Sequence, residues 1–133
     1  MSCVFCSDLA SVGELLFEDE RTWVLLHADW SPRGHAMVVA KTHAENASGL
    51  DKDEWLHIAR VFREVERVLL DATQTDRAIV LKLGIMTPHL HLHIYPVSAN
   101  ATREEVFAMI DGKRGEAHDD AFVRELRERF GVR

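Results

Sequence analysis

Only two cysteines occur in this chain of 133 residues, Cys3 and Cys6. They are too few and too close together for a disulfide framework, and in a cytosolic chain such a pair suggests metal or redox chemistry. No apolar run approaches the roughly 20 residues needed to cross a bilayer. The opening Met-Ser-Cys-Val-Phe-Cys also lacks the basic region and apolar core of a secretory signal. A soluble, cytoplasmic protein with no membrane partner is therefore expected. Clusters of Lys and Arg are missing too, and the formal net charge is -6. That balance lacks the footprint of a nucleic-acid binder, so no nucleic-acid polymer is expected as a partner. A small phosphorylated ligand stays compatible, because a local site can be positive within a negative protein. Repeats, low-complexity tracts and linkers are absent as well. With 47% hydrophobic and 29% charged residues, the composition is ordinary for a globular domain. At this length the chain reads as a single domain, 1–133, able to bury a sizeable core without disulfides.

What the chain does have is an unusual row of imidazoles, His-Leu-His-Leu-His at residues 89–93. Side chains alternate across an extended strand, so His89, His91 and His93 share one face while Leu90, Leu92 and Ile94 share the other. Residues two apart on a strand are roughly 6.6 Å apart at the backbone. Rings so spaced can act on one substrate or converge on one metal.

Around this row the periodicity predicts an antiparallel α+β domain. Glu14–Asp19 and Thr22–Ala28 read as two strands joined by a tight charged turn. A loop over 29–34 leads to a third strand, His35–Lys41. Trp55, Ile58, Ala59, Phe62, Val65, Leu69 and Ala72 recur at helical spacing, giving one long helix over 51–73. Ser48 or Asp51 can cap it, with Glu54 in capping-box position after Asp51. A fourth strand spans 77–83, and the histidine strand spans Thr87–Val97. A short helix near Thr102–Ile110 and a C-terminal helix from about Asp119 complete the chain. Strands in meander order around one long helix argue against βαβ units.

Three blocks of sequence now resemble a known family. His89-Leu90-His91-Leu92-His93-Ile94-Tyr95-Pro96 is similar to the signature of the histidine-triad (HIT) proteins, which are nucleotide hydrolases and transferases. Gly34-His35-Ala36-Met37-Val38-Val39-Ala40-Lys41-Thr42-His43 resembles a second family segment, with Ala40 where the family has proline. Cys3-Val4-Phe5-Cys6 resembles the Cys-x-Phe-Cys of many bacterial members. The resemblance implies a HIT-like α+β fold: a five-stranded antiparallel sheet, one long central helix and a C-terminal helix. Its catalytic region would cover about 3–97, with a helical extension over about 98–133. It also implies a homodimer, which would relieve exposed sheet edges.

The same resemblance implies a mechanism and a metal. His91 would attack the α-phosphorus of a nucleotide to give a nucleotidyl-histidine that water hydrolyses. His93 would contact phosphate or leaving-group oxygens, and His35 would support them from the adjacent strand. The substrate would be a nucleoside phosphate ester, phosphoramidate or dinucleoside polyphosphate. In the family's zinc-bearing members the ligands match Cys3, Cys6, His43 and His89, which implies a structural zinc. A thioredoxin-type redox pair is the rival reading of the cysteines, but that motif belongs in a βαβ context.

Two departures bear on substrate binding. His27 stands where the family carries a ribose-binding aspartate, with Asp29 two residues on. In Gly84-Ile85-Met86-Thr87-Pro88-His89, Ile85 takes the place of a phosphate-binding glutamine and only Thr87 keeps a hydroxyl. Phosphate contacts would then fall to Thr87 and to Lys82 or Arg33. Two other functions compete with the histidine nucleophile. One is a non-catalytic nucleotide- or metabolite-binding protein; the other is a metal-dependent hydrolase whose triad histidines hold a water-activating ion.

Overall fold

Asp19 sits at the turn of the first hairpin and ties it together. Its Oδ1 accepts hydrogen bonds from the backbone N–H groups of Arg21 (2.9 Å) and Thr22 (2.8 Å) and from the Thr22 hydroxyl (2.7 Å). Strands β1 (Gly13–Glu18) and β2 (Thr22–His27) pair antiparallel on either side of this turn. The other carboxylate oxygen lies 2.7 Å from Nε2 of His57 and so fastens the hairpin to the long helix. These contacts belong to a computed structural model that describes residues 3–28, 32–112 and 119–131.

Five strands form one antiparallel sheet in the order β1-β2-β3-β5-β4, with β3 at Ala36–Ala40, β4 at Arg77–Leu81 and β5 at His91–Val97. Cross-strand register divides the sheet into two faces. Val24, Leu26, Ala36, Val38 and Ile94 join the main core, built with helix α2 (Lys52–Thr73) and helix α4 (Asp120–Gly131). On the opposite face, Leu25 pairs with Met37, and Met37 and Val39 pair with His93 and His91. A four-residue helix, α1 (Val4–Ser7), covers that side with Phe5. The half-apolar, half-imidazole character of the histidine strand therefore holds from His91 onward.

Helix α2 buries Ile58, Val61, Val65, Val68 and Leu69, while Trp55, Phe62 and Ala72 flank the stripe half-buried. Its N-cap is Asp51, in a capping box with Glu54; Ser48 lies in the preceding 3-10 turn, Ala47–Gly49. Helix α3 (Arg103–Asp111) begins with its own capping box, Thr102 and Glu105. Helix α4 packs Phe122, Val123, Leu126 and Phe130 into the main core, and Arg127 reaches the Leu15 carbonyl at the β1 bulge (2.8 Å). Among the described residues no helix is long and apolar enough to cross a membrane.

The structure corrects two strand boundaries. The fourth strand ends at Leu81 rather than residue 83, which frees Lys82 and Leu83 from the sheet. The histidine strand begins at His91 rather than Thr87, so His89 lies in a bend ahead of it. The cause is local: the His89 N–H turns back to the Thr87 carbonyl (2.8 Å), and Leu90 donates to Ala44 in the loop after β3 (2.6 Å).

Leu126 is fully buried, so Leu126→Ala should cost about 2–5 kcal/mol in denaturant unfolding. Asp19 supplies a pH-linked test. Burial disfavours its charge, but hydrogen bonds from Thr22, Arg21 and His57 outweigh burial and hold the carboxyl down at about 2. A pKa lowered by folding stabilises the protein above the unfolded value of 3.8, and that contribution fades as pH falls toward 2. Asp19→Asn should therefore lower stability at pH 7, and its deficit against wild type should shrink between pH 4 and about pH 2.

Candidate active site and metal centre

Four potential ligands converge where α1, the loop after β3 and the bend before β5 meet. Cys3 Sγ lies 3.4 Å from His89 Nδ1, and Cys6 Sγ lies 3.4 Å from His43 Nδ1 and 3.7 Å from His89 Nδ1. The two Nδ1 atoms are 3.1 Å apart, and all four ligand atoms lie within 4.8 Å of one another. Zinc–sulfur bonds near 2.3 Å and zinc–nitrogen bonds near 2.0 Å place tetrahedral ligands about 3.3–3.8 Å apart. The spacing and the S₂N₂ donor set therefore fit a four-coordinate ion with no vacant position.

Hydrogen bonds outside the cluster hold its ligands. His89 Nε2 donates to the Ala40 carbonyl (2.5 Å), which leaves Nδ1 as a lone-pair donor facing the sulfurs. Ala40 also donates its N–H to the Leu90 carbonyl (3.1 Å), a bond that the family's proline could not make. Thr42, next to His43, donates its hydroxyl to Glu54 at the start of α2. Burial and the neighbouring His43 lower the His89 pKa, opposed by the Ala40 bond, and favour the neutral ring that ligation requires.

The main chain of His89 serves the next imidazole. His91 Nδ1 donates to the His89 carbonyl (2.6 Å), which fixes the tautomer with Nε2 unprotonated. The His91 ring is buried, and the Phe5 ring packs 4.7 Å from it. Burial lowers its pKa against the opposing carbonyl bond, with help from His89 and Lys82. His93 Nδ1 lies 2.9 Å from His35 Nε2. Burial first, then the charges of His91 and His27, bring His93 down to about 3. His35 itself is stacked between His27 (ring centroids 4.4 Å) and Tyr95 (4.1 Å).

His91 and His93 line a cavity of ≈ 370 Å³ with His27, Thr87 and the apolar residues Leu83, Ile85 and Met86. A larger cleft of ≈ 470 Å³ between α2 and α4 is lined, among the described residues, by surface ion-pair residues such as Asp71 and Arg129 and by no histidine or cysteine. Of the substrate-binding candidates, His27 and Thr87 reach the histidine cavity. Asp29 lies outside the described residues. Lys82 is exposed and bonded to Asn46, close enough to act electrostatically on His91. Arg33 is placed elsewhere, paired with Asp119 at 3.1 Å and lying over the Phe122 ring.

Phe5, Tyr95 and the Ala40 carbonyl shape the site, a role that their place in the motifs did not reveal. Phe5 carried a usable signal, since a residue between two candidate ligands of one cluster is constrained in position. Backbone acceptors such as the Ala40 carbonyl leave no mark in side-chain identity.

Residues 11–100 match the family model of the HIT domain. The chain is 30% identical over 107 residues to "Protein hit" of Bacillus subtilis (strain 168), covering 71% of this chain and 70% of that protein. A histidine triad nucleotide-binding protein from Sulfolobus tokodaii strain7, described as hypothetical, has a similar structure. The TM-score is 0.69 at 26% identity, covering 96% of this chain and 88% of that one. A Zn-bound histidine triad family protein from Mycobacterium smegmatis shares the fold at 22% identity and a TM-score of 0.70, covering 98% of this chain and 94% of that one. The five-stranded antiparallel sheet with its helices agrees with these neighbours, and the chain belongs to the HIT family.

Proposed function

We propose that the protein is a nucleotide hydrolase or transferase in which Nε2 of His91 attacks the α-phosphorus of a nucleoside phosphate ester, phosphoramidate or dinucleoside polyphosphate. The observation that carries this reading is the 2.6 Å bond from His91 Nδ1 to the His89 carbonyl. It places the proton on the far nitrogen and presents a neutral, unprotonated Nε2 in a ring that lines the cavity. Neutral imidazole is a competent nucleophile at pH 7, and rigid placement removes much of the entropic cost of attack. His93 contacts oxygens of the transferred phosphoryl group, with its Nδ1 committed to His35. Among the described residues lining the cavity, His27 and Thr87 are the other polar side chains, and they bind substrate there.

Zinc is the proposed occupant of the Cys3, Cys6, His43 and His89 cluster. The thiolate and imidazole donors suit zinc, and the bound ion would cross-link the N-terminus, the loop after β3 and the approach to β5. Four protein ligands leave no open position for substrate or water, which favours a structural role over a metal-activated hydroxide. The commitment of His91 Nδ1 to a carbonyl argues the same way, against a catalytic ion held by the triad. The fixed tautomer of His91 favours this reading over that of a non-catalytic binding protein, which has no such specific support.

His91→Asn should reduce turnover by at least about a thousandfold with the fold intact by circular dichroism. Quenching wild type with substrate should add one nucleoside monophosphate to the peptide containing His91. A folded His91→Asn protein with near wild-type turnover would refute the nucleophile. Protein purified without chelator should hold one zinc per chain by elemental analysis, and Cys3→Ser should lower that occupancy. Metal removal should reduce thermal stability, because ligands distant in sequence lose their common anchor. Absence of metal from wild type, or unchanged stability after its removal, would count against the site.

A further inference from the structure

Cross-strand register builds a row of rings beside the triad. Leu26 pairs with Ala36, and Ala36 with Ile94, so the next step along the sheet sets His27, His35 and Tyr95 side by side. The His35 ring lies between the other two. Its centroid is 4.4 Å from that of His27, with the planes 9° apart, and 4.1 Å from that of Tyr95, with the planes 21° apart. His93 is the diagonal neighbour, two residues before Tyr95 on the same face of β5, and its plane is 20° from that of Tyr95. His35 and Tyr95 are both buried. His27 and His93 line the histidine cavity, whereas neither His35 nor Tyr95 is among the described residues that do. A role for Tyr95 in the chemistry therefore has to pass through a neighbouring ring.

Two kinds of contact hold His35 in complementary ways. Rings stacked on both faces oppose tilting, but they allow a half-turn about the Cβ–Cγ bond, which preserves the plane. The 2.9 Å contact from His35 Nε2 to His93 Nδ1 opposes that half-turn, because the turn would put a carbon in place of the nitrogen. Burial, then the charges of His91 and His27, bring His93 down to about 3, so at pH 7 its ring carries a single proton. On Nδ1, that proton would leave an Nε2 lone pair facing the phosphoryl oxygens. On Nε2, it makes His93 a donor to them and requires Nδ1 to accept from His35.

Resting on the nucleotidyl-transfer reading above, we propose that Tyr95 is a positioning residue whose ring, with that of His27, clamps His35 so that His35 Nε2 donates to His93 Nδ1 and His93 keeps its proton on Nε2. His91 and His93 are then held in opposite tautomers, one offering a lone pair to phosphorus and the other an N–H to its oxygens. The flat face of Tyr95 is its contribution, and the hydroxyl takes no part.

Tyr95→Leu removes the flat face while keeping an apolar side chain, and Tyr95→Phe keeps the face while removing the hydroxyl. With adenosine 5′-phosphoramidate as the probe, Tyr95→Leu should slow single-turnover formation of the nucleotidyl-histidine about fivefold at saturation, with the half-saturating concentration changed less than about twofold. Tyr95→Phe should stay within about twofold of wild type in both. Nitrogen-15 spectra of substrate-free protein at pH 7 should show His93 protonated on Nε2 in wild type and Tyr95→Phe, and a mixture of tautomers in Tyr95→Leu. A purely structural role would lower stability but leave the rate per folded molecule and the His93 tautomer unchanged, and that result would overturn the proposal. Equal losses in the Leu and Phe variants would do the same, by assigning the effect to the hydroxyl. Wild-type His93 with its proton on Nδ1 would refute the clamp without any variant, so a Tyr95→Leu chain that fails to fold leaves the test intact. Absence of an adduct in wild type would sink the nucleotidyl-transfer reading, while the spectra would still report on His93 separately.

Discussion

His89 is the residue on which the two halves of the site depend. Its ring faces Cys3, Cys6 and His43 through Nδ1 and is oriented by the Ala40 carbonyl at Nε2, while its own carbonyl accepts from His91 Nδ1. No atom of the imidazole is left over for substrate. Whatever fixes the ring therefore fixes the peptide that sets the tautomer of the proposed nucleophile. Phe5 makes a second connection, since it sits between the two cysteines in sequence and packs on both His89 and His91. A metal bound at the cluster would thus order the wall and the hydrogen-bond acceptor of His91 together, without touching the reacting phosphorus.

The sheet explains why this arrangement is tolerated. Burying imidazoles, fully at His89 and His91 and partly at His93, costs solvation unless each is kept neutral and hydrogen-bonded. His89 and His91 have carbonyl partners, and His93 has His35. The reverse face of β5 packs Ile94 into the main core, so a one-residue slip would exchange histidines for core residues. Register is thereby held by the core, and the core is closed by α4 as well as α2.

Much of this was legible in the sequence. Alternation gave the strands, the apolar stripe gave α2, and Asp51 with Glu54 marked where that helix starts, because each signal is local and periodic. The four candidate ligands and the order of the triad came from motif resemblance, since their separation in sequence hides their proximity. The illegible parts are of another kind. Strict alternation suggested that His89 continues the strand, but its ring and backbone are drawn toward groups at Ala40, Ala44 and the cysteines, and the chain bends. Helix α1 is one turn long and carries no period to detect. Arg33 looked available for phosphate, yet its partner Asp119 comes from the far end of the chain.

Everything proposed for His91 requires that the His89 carbonyl hold it in one tautomer. Nitrogen-15 NMR of histidine-labelled, metal-loaded protein at pH 7 reads this directly through the ring nitrogen shifts and their couplings to the ring protons. A neutral His91 with its proton on Nδ1 and an unprotonated Nε2 is expected. A proton on Nε2, or a doubly protonated His91 at that pH, would contradict it.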